Sequence, residues 1–432
     1  MNKLKELIAG KRAKIGIIGL GYVGLPLAVE FAREGLETTG FEVDKAKVSD
    51  IAKGLSYIAD VPQAEVREFT RAGKLKATLD FSLLRKMDAI IVCVPTPLRK
   101  SKDPDVSYIV SSVGEIARRL RKGQLVVLES TTYPGTTKEL VKPMLEKTGL
   151  KAGKDFFLAF SPERVDPGNP KYGIKNTPKV VGGITPACTR LAGLLYAQAI
   201  DKVLEVSDTE TAELVKLLEN TFRAVNIGMM NEMALMCHKL GLDVWEVIGA
   251  AASKPFGFMP FYPGPGIGGH CIPLDPHYLG WKMKTLNFEP RFIELAGVIN
   301  SSMPEHVVSR LGEILNTRGR TMKGARLLMI GMTYKPDISD PRESPAKDVF
   351  LLLEHTGARV EYYDPYVKAM EIEGRTHRHC AGALKKLKTY DCVLIITPHS
   401  CIDYRALAGK ARLVFDTRNA TRGLKRKNIF RL

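Results

Sequence analysis

The hydrophobic positions of the chain fall into short runs separated by helical periodicity. Ala13–Ile18, Ala89–Val94, Leu125–Leu128 and Phe156–Phe160 are largely apolar runs, and Glu37–Phe41 reads as a further strand. An apolar helix pattern over Leu25–Arg33 lies between the first two, and helical patterns separate several of the others. Nearly continuous apolar strands alternating with helices predict a parallel sheet covered on both faces. The pattern then changes. One long helical stretch runs from Asp208 to Gly249, opened by Thr209-Glu210-Thr211 and interrupted near Gly241. Asn287 to Arg318 is again mostly helical, and no strand is predicted between residues 206 and 320. Alternation returns at Ala325–Ile330, Ala358–Tyr363, Asp391–Thr397 and Leu413–Asp416. The chain is therefore expected to be α/β. An N-terminal Rossmann domain (1–205) and a C-terminal Rossmann-like α/β domain (321–432) flank a central helical domain (206–320) with a long linking helix. That helix also offers a surface for dimerisation.

The first predicted strand runs directly into Gly19-Leu20-Gly21-Tyr22-Val23-Gly24, which opens a helix. Such a loop lets a pyrophosphate approach the backbone at the positive end of the helix. The motif is common by itself; the strand before it and the carboxylates after the next strand give it weight. Asp44 is placed for the adenine ribose hydroxyls, with Glu42 as a rival, and a carboxylate there favours NAD over NADP. Two more loops leave predicted strands, Val94-Pro95-Thr96-Pro97 and Glu129-Ser130-Thr131-Thr132-Tyr133-Pro134-Gly135. Ligands of open α/β sheets lie at such ends, so Thr96 and Thr131 are cofactor candidates; helix capping is the simpler reading of both.

Composition narrows the picture only slightly. Of 432 residues, 45% are hydrophobic and 26% charged, which is ordinary globular composition. There is no apolar run of about 18 residues, and Met1 to Lys14 lacks a signal-peptide pattern; a cytoplasmic protein without a membrane partner is expected. Seven scattered cysteines form no CxxC pair, so neither a metal site nor a disulfide framework is expected. The net charge of +17 raises nucleic acid as a partner. The basic residues are spread out, however, with the densest cluster in the tail Arg422–Lys427. A phosphorylated small substrate explains part of the charge more economically, and nucleic acid is not expected.

The chemistry concentrates in Pro263-Gly-Pro-Gly-Ile-Gly-Gly-His-Cys-Ile-Pro-Leu-Asp-Pro276. A cysteine in a glycine-rich loop suits a covalent nucleophile held at bound substrate. Thiolate attack on an aldehyde gives a thiohemiacetal, hydride loss to NAD a thioester, and water releases a carboxylate. The oxyanions on that path need donors. Lys216 and Asn220 share one helix face, and Asp275, four residues after Cys271, is placed to hold the lysine or steer protons. Alone, Lys216 and Asn220 would read as a surface lysine and a polar neighbour. Glu163, in Ser161-Pro-Glu-Arg-Val-Asp-Pro-Gly168, is a candidate base for thioester hydrolysis. His270 adjoins Cys271, although neighbours in an irregular loop need not point together.

Taken together, these motifs resemble the UDP-glucose/GDP-mannose dehydrogenases, NAD-dependent four-electron oxidoreductases. The resemblance runs from Ile15 to Arg418 and continues through Thr333-Tyr-Lys-Pro-Asp337 and Asp340-Pro-Arg-Glu-Ser344. It implies a UDP-sugar substrate oxidised at C6 to a uronate, and a homodimer or higher homo-oligomer. It casts Cys271 as nucleophile, Lys216 and Asn220 as the oxyanion- and water-holding pair, Asp275 as their partner, Glu163 as base and Thr131 as a water-placing residue. Gly19, Gly21, Tyr22, Val23, Gly24, Asp44, Thr96, Thr131 and Arg342 become cofactor contacts. Glu163, Arg164, Val165, Lys216, Asn220, Arg223, Gly264, Tyr334, Lys335 and Arg418 become substrate contacts. Pro167 stands where UDP-glucose dehydrogenases carry a second glutamate, and His270 where they carry a small residue. With the Ile272–Pro273 step, these departures resemble enzymes of UDP-N-acetylglucosamine, with UDP-N-acetylmannosamine or UDP-glucose as alternatives. The family's cross-subunit arginine has no match at its usual spacing, and Lys254 stands as a substitute. Two other readings stay open. One is a two-electron 3-hydroxyacid dehydrogenase, which needs neither Cys271 nor a second α/β domain. The other is a basic nucleic-acid-binding module, motivated by the charge.

Overall fold

The computed structural model describes all residues except Ala59, 100–102, Pro167, Gly168, Pro170, His270 and Cys271. The chain divides into two compact units, residues 1–219 with 277–288, and 220–276 with 289–432.

The first unit is built on eight strands: β1 (Lys14–Ile18), β2 (Glu37–Phe41), β3 (Leu75–Thr78), β4 (Ala89–Val92), β5 (Leu125–Leu128), β6 (Phe157–Phe160), β7 (Lys179–Gly183) and β8 (Val203–Glu205). They lie in the order β3-β2-β1-β4-β5-β6-β7-β8. Every pair is parallel except β6 with β7, which run antiparallel with Ala159 opposite Gly183. Successive side chains of the central strands enter opposite cores. Ile91, Val127 and Ala159 join the helices Gly24–Arg33 and Pro186–Tyr196, while Ile90, Val126 and Leu158 join the helix Ser107–Ala117. Burial on both faces is why these strands read as unbroken apolar runs.

The second unit carries β9 (Arg326–Ile330), β10 (Arg359–Tyr363), β11 (Ala369–Ile372), β12 (Arg375–Arg378), β13 (Cys392–Ile395), β14 (Val414–Asp416) and β15 (Ile429–Arg431). Five of them form an all-parallel sheet, β10-β9-β13-β14-β15, and β11 and β12 pair as a separate hairpin. Leu327, Met329 and Leu394 pack on the helices Arg291–Asn316 and Pro345–His355; Leu328, Ile330 and Val393 fill the other face.

The long helical pattern resolves into Thr209–Leu240 and Val244–Ala251. Gly241 takes φ +69°, a conformation open to glycine, and the Asp243 carboxylate caps the new helix on the Trp245 amide at 2.8 Å. Among the described residues no strand lies between 206 and 320. Nor, among them, is any helix long and apolar enough to cross a membrane, or any group of three or more His, Cys, Asp and Glu placed to hold a metal ion.

Candidate active site

The dinucleotide loop is set by sterics at two glycines. Gly19 leaves β1 at φ +90° against the Cys93 carbonyl, and a Cβ on Gly24 would run into the Gly19 carbonyl. Only glycine lets the turn close this tightly onto the helix Gly24–Arg33. A Cβ built at Gly21 meets nothing within 4 Å, so the loop is open there to an approaching phosphate. Tyr22 is exposed beside it, and Val23 is the N-cap of the helix. The two carboxylates after β2 have different tasks. Buried Glu42 accepts the Leu20 amide of the glycine loop at 3.0 Å and the Val43 amide at 2.9 Å. Exposed Asp44 caps the helix Lys45–Ala52 through the Ala46 amide at 2.8 Å. An open loop at a helix start, flanked by two carboxylates, fits a dinucleotide.

The loops after β4 and β5 are tied together: Ser130 Oγ donates to the Val94 carbonyl at 2.7 Å. Thr96 offers its carbonyl to the Tyr278 hydroxyl. Neither Thr96 nor Thr131 caps a helix, since Val106 precedes the helix Ser107–Ala117 and Thr136 the turn that begins at Thr137. Both threonines are half-buried at strand ends. Buried Glu213 pins the Thr131 loop by accepting the Gly135 amide at 2.6 Å and the Thr137 amide and hydroxyl at 2.9 and 2.7 Å. Burial drives its carboxyl up to about 7 against these bonds.

Glu163 follows β6. Its Oε1 accepts the Arg164 and Val165 amides, each at 2.7 Å, and its Oε2 accepts Lys179 Nζ at 2.9 Å. Burial works to raise its pKa, but the charge and hydrogen bond of Lys179 and the Val165 amide overcome it and hold the group at about 2. Arg164 turns its guanidinium to Glu219 at 2.9 Å and to the Pro178 carbonyl at 2.7 Å. Lys179 and its second carboxylate, Glu129, belong to no local motif of the sequence, because they meet only through the fold.

On the long helix Lys216 is half-buried, Arg223 is exposed, and Asn220 is buried. The Asn220 amide donates to Asp275, 3% exposed at the start of the helix Asp275–Lys284. Cys271 and His270 lie outside the described residues, as does Pro167. The glycines before them are closely held. A Cβ on Gly268 would stand 2.7 Å from Tyr334 Cβ and 2.8 Å from the Glu343 carbonyl, so no other residue fits. Gly264 donates its amide to Asn231 at 2.9 Å and lies against the Arg418 guanidinium, which would collide with a side chain there. Arg418 donates Nε to the Ile396 carbonyl at 3.3 Å and has no carboxylate partner among the described residues. Burial lowers its pKa to about 10. Its loop is fixed by Asp416, which accepts the Arg418 amide at 3.0 Å and the Thr421 amide at 2.7 Å.

The Thr333–Asp337 loop leaves β9 by the same sheet end. Thr333 Oγ1 donates to the Lys335 carbonyl at 2.8 Å, and Tyr334 is the residue packed on Gly268. Arg342 forms a fork with Asp340 at 2.7–3.1 Å. Buried His399 and Asp364, also unread in the sequence, brace this end. His399 Nδ1 accepts the Asp337 amide at 3.1 Å, which makes Nε2 the donor to Asp364, also at 3.1 Å.

The first unit is thus a dinucleotide-binding α/β protein by fold and loop. Comparison with known proteins goes further. The NAD binding, central and UDP binding domains of the UDP-glucose/GDP-mannose dehydrogenase family match residues 13–200, 210–302 and 328–423. A UDP-N-acetyl-D-glucosamine 6-dehydrogenase of Pseudomonas aeruginosa is 37% identical over 90% of this chain and 91% of its own. A UDP-N-acetyl-D-mannosamine dehydrogenase of Pyrococcus horikoshii is 33% identical over 94% and 95%. Among solved structures, a UDP-D-ManNAc dehydrogenase from Pyrococcus horikoshii superposes with a TM-score of 0.87 at 32% identity, covering 97% of this chain and 98% of that one. The chain belongs to the UDP-glucose/GDP-mannose dehydrogenase family. It is an NAD-dependent oxidoreductase of UDP-sugars, with a Rossmann-like sheet at each end and a helical centre.

Proposed function

We propose that this chain oxidises the C6 hydroxymethyl of a UDP-N-acetylhexosamine, UDP-N-acetylglucosamine first, to the uronate through a Cys271 thiohemiacetal and thioester. The observation that carries this reading is the buried Asn220–Asp275 hydrogen bond, which fixes an amide of the long helix to the residue four beyond Cys271. NAD, when bound, accepts the hydride of each oxidation; Gly19–Gly24, Tyr22, Val23, Asp44 or Glu42, Thr96, Thr131 and Arg342 are its proposed contacts. Lys216 and Asn220 steady the oxyanion and water, Asp275 orients Asn220, and Glu163 takes the proton of the hydrolytic water. Gly264, Tyr334, Lys335 and Arg418 hold the nucleotide side of the substrate, and Arg164, Val165 and Arg223 complete its surroundings. For Arg164 and Val165 this is a second task, since their amides already serve Glu163. The three family segments support a division into NAD-binding, central and UDP-binding domains at residues 1–205, 206–320 and 321–432.

The test is stoichiometric. Incubation with UDP-N-acetylglucosamine and NAD is expected to give two NADH per sugar consumed. One NADH per sugar, as a 3-hydroxyacid-type oxidation would give, overturns the four-electron reading. The similarity to mannosamine enzymes favours UDP-N-acetylmannosamine as the second substrate reading, and a side-by-side assay of the two epimers decides between them.

We also propose a homo-oligomer. Within the second unit Phe222, Met229 and Met236 on the long helix and Phe292, Leu295 and Val298 on the helix Arg291–Asn316 are 45–78% exposed. Apolar exposure on that scale marks a surface to be covered. Size-exclusion chromatography with light scattering is expected to give a dimer or larger species, and Phe292→Glu with Leu295→Glu to shift it toward monomer. A monomeric parent protein would refute this.

A further inference from the structure

Four titratable groups meet in a buried cluster of the first unit that the reaction just proposed uses only in part. Glu129 directly follows β5, Lys179 opens β7, Glu163 follows β6, and Tyr196 ends the helix Pro186–Tyr196. The Lys179 ammonium, 4% exposed, donates to Glu129, whose side chain is 0% exposed, and to Glu163 at 2.9 Å. The Tyr196 hydroxyl donates to the other oxygen of Glu129 at 2.5 Å. Lys179 Nζ also stands 5.3 Å from the centre of the Tyr196 ring. Buried charge is costly unless paired and hydrogen-bonded, so such a cluster needs a reason.

Two carboxylates around one ammonium leave a net charge of minus one, room for one proton. The surroundings of the two carboxylates favour Glu129 as the group that takes up an added proton. Glu163 is 13% exposed and its anion is held by two backbone amides as well as by Lys179. Glu129 has no exposure and no amide among its bonds, so its charge costs more. The groups facing Glu129 are Lys179 from β7, Glu163 from the loop after β6, Tyr196 from its helix and Cys93 from the end of β4. In keeping with this, burial lifts Glu129 to about 7, opposed by Lys179 and the Tyr196 bond.

We propose that Lys179 passes on to Glu129 the proton that Glu163 takes up during hydrolysis, making Lys179, Glu129 and Tyr196 the positioning residues that return Glu163 to its basic form. This rests on Glu163 being the hydrolytic base. Water oxygen bonds to the thioester carbon, its proton goes to Glu163, and the carbon–sulfur bond breaks to release thiolate. The Glu163 proton then moves to Lys179 as Lys179 gives one of its own to Glu129. The step ends with Glu163 a carboxylate, Lys179 an ammonium and Glu129 a neutral acid; no electrons are gained or lost. The loop beyond Glu163 then stays fixed while protons leave, because the two amide bonds need the anion.

The test is the pH profile of turnover of the full-length protein with NAD and the UDP-N-acetylhexosamine it oxidises. Glu129 must be ionised to receive a proton, so the rate is expected to rise with pH through about 7. Tyr196→Phe removes a donor to the carboxylate, keeps the ring, and is expected to move that limb up by about one pH unit. Glu129→Gln is expected to abolish the limb and lower the rate about 10-fold or more. A folded Tyr196→Phe protein, checked by thermal melting, whose limb stays in place overturns the relay, and this arm decides alone if Glu129→Gln does not fold. Glu163→Gln separates the two ideas. Full turnover in that variant removes the base reading and the relay with it, whereas an inactive Glu163→Gln beside an unmoved Tyr196→Phe limb removes the relay only.

Discussion

Replacing Cys271 by serine is expected to stop uronate formation, lowering its rate by about 10⁴-fold or more. At neutral pH a thiol supplies thiolate, whereas a serine hydroxyl needs a base in hydrogen-bond reach to become a comparable nucleophile. The described residues nearest to position 271 in sequence are firmly held. Gly268 is wedged between Tyr334 and the Glu343 carbonyl, and Asp275 is fixed by Asn220. Product is measured by anion-exchange chromatography with mass detection, and aldehyde by trapping with hydroxylamine. Uronate at the parent rate from Cys271→Ser would falsify the covalent route.

The second large effect belongs to Arg418. A half-buried guanidinium, lowered by burial to about 10 and without a carboxylate partner among the described residues, is incomplete until it meets an anion or a strong acceptor. Gly264 lies against that guanidinium and brings no side chain of its own to it. Arg418→Ala is expected to raise KM for the UDP-sugar about 30- to 700-fold, equivalent to roughly 2–4 kcal/mol of lost charge-assisted bonding. Affinity for NAD should stay as it was, because the glycine loop belongs to the other unit. Arg418→Lys should recover only part of the loss, since an ammonium cannot reproduce a planar fork. A KM within about threefold of the parent in Arg418→Ala would show that the cation serves the fold and not the substrate.

Much of the architecture could be read in advance because central strands buried on both faces advertise themselves. Ile90-Ile91-Val92 and Leu125-Val-Val-Leu128 have no polar residue to disguise them. The strands without such a run are those with a mixed environment. Lys179-Val-Val-Gly-Gly begins with a charge and ends in glycines, and Ala369–Ile372 with Arg375–Arg378 is a mostly exposed hairpin whose one signal is Glu373-Gly374, at φ +47° and +73°. The candidate site divides in the same way. Residues tied to a local motif, such as the glycine loop or the helix pair Lys216 and Asn220, are visible from spacing. Those that meet only through the fold are not: Lys179 with Glu129, His399 with Asp364, and Gly264 beneath Arg418 are each joined across long sequence separations. Asp44 and Glu42 are rivals in the sequence for a related reason. Distance from the last glycine favours one, while the hydrogen bond to Leu20 marks the other.

The single antiparallel pairing of the first sheet has a consequence of its own. Ligands of a parallel sheet gather where strands finish, and every parallel strand begins at the far side. A lysine opening such a strand would therefore face away from the chemistry. Because β7 runs against β6, its first residue comes level with the segment just past Phe160. One reversal of chain direction lets the beginning of a strand contribute to the reactive edge, and a buried ammonium reaches two carboxylates that leave their strands from the other direction. A strand of opposite sense, laid next to the last parallel one, thus brings a cation to the reactive edge of a dinucleotide fold.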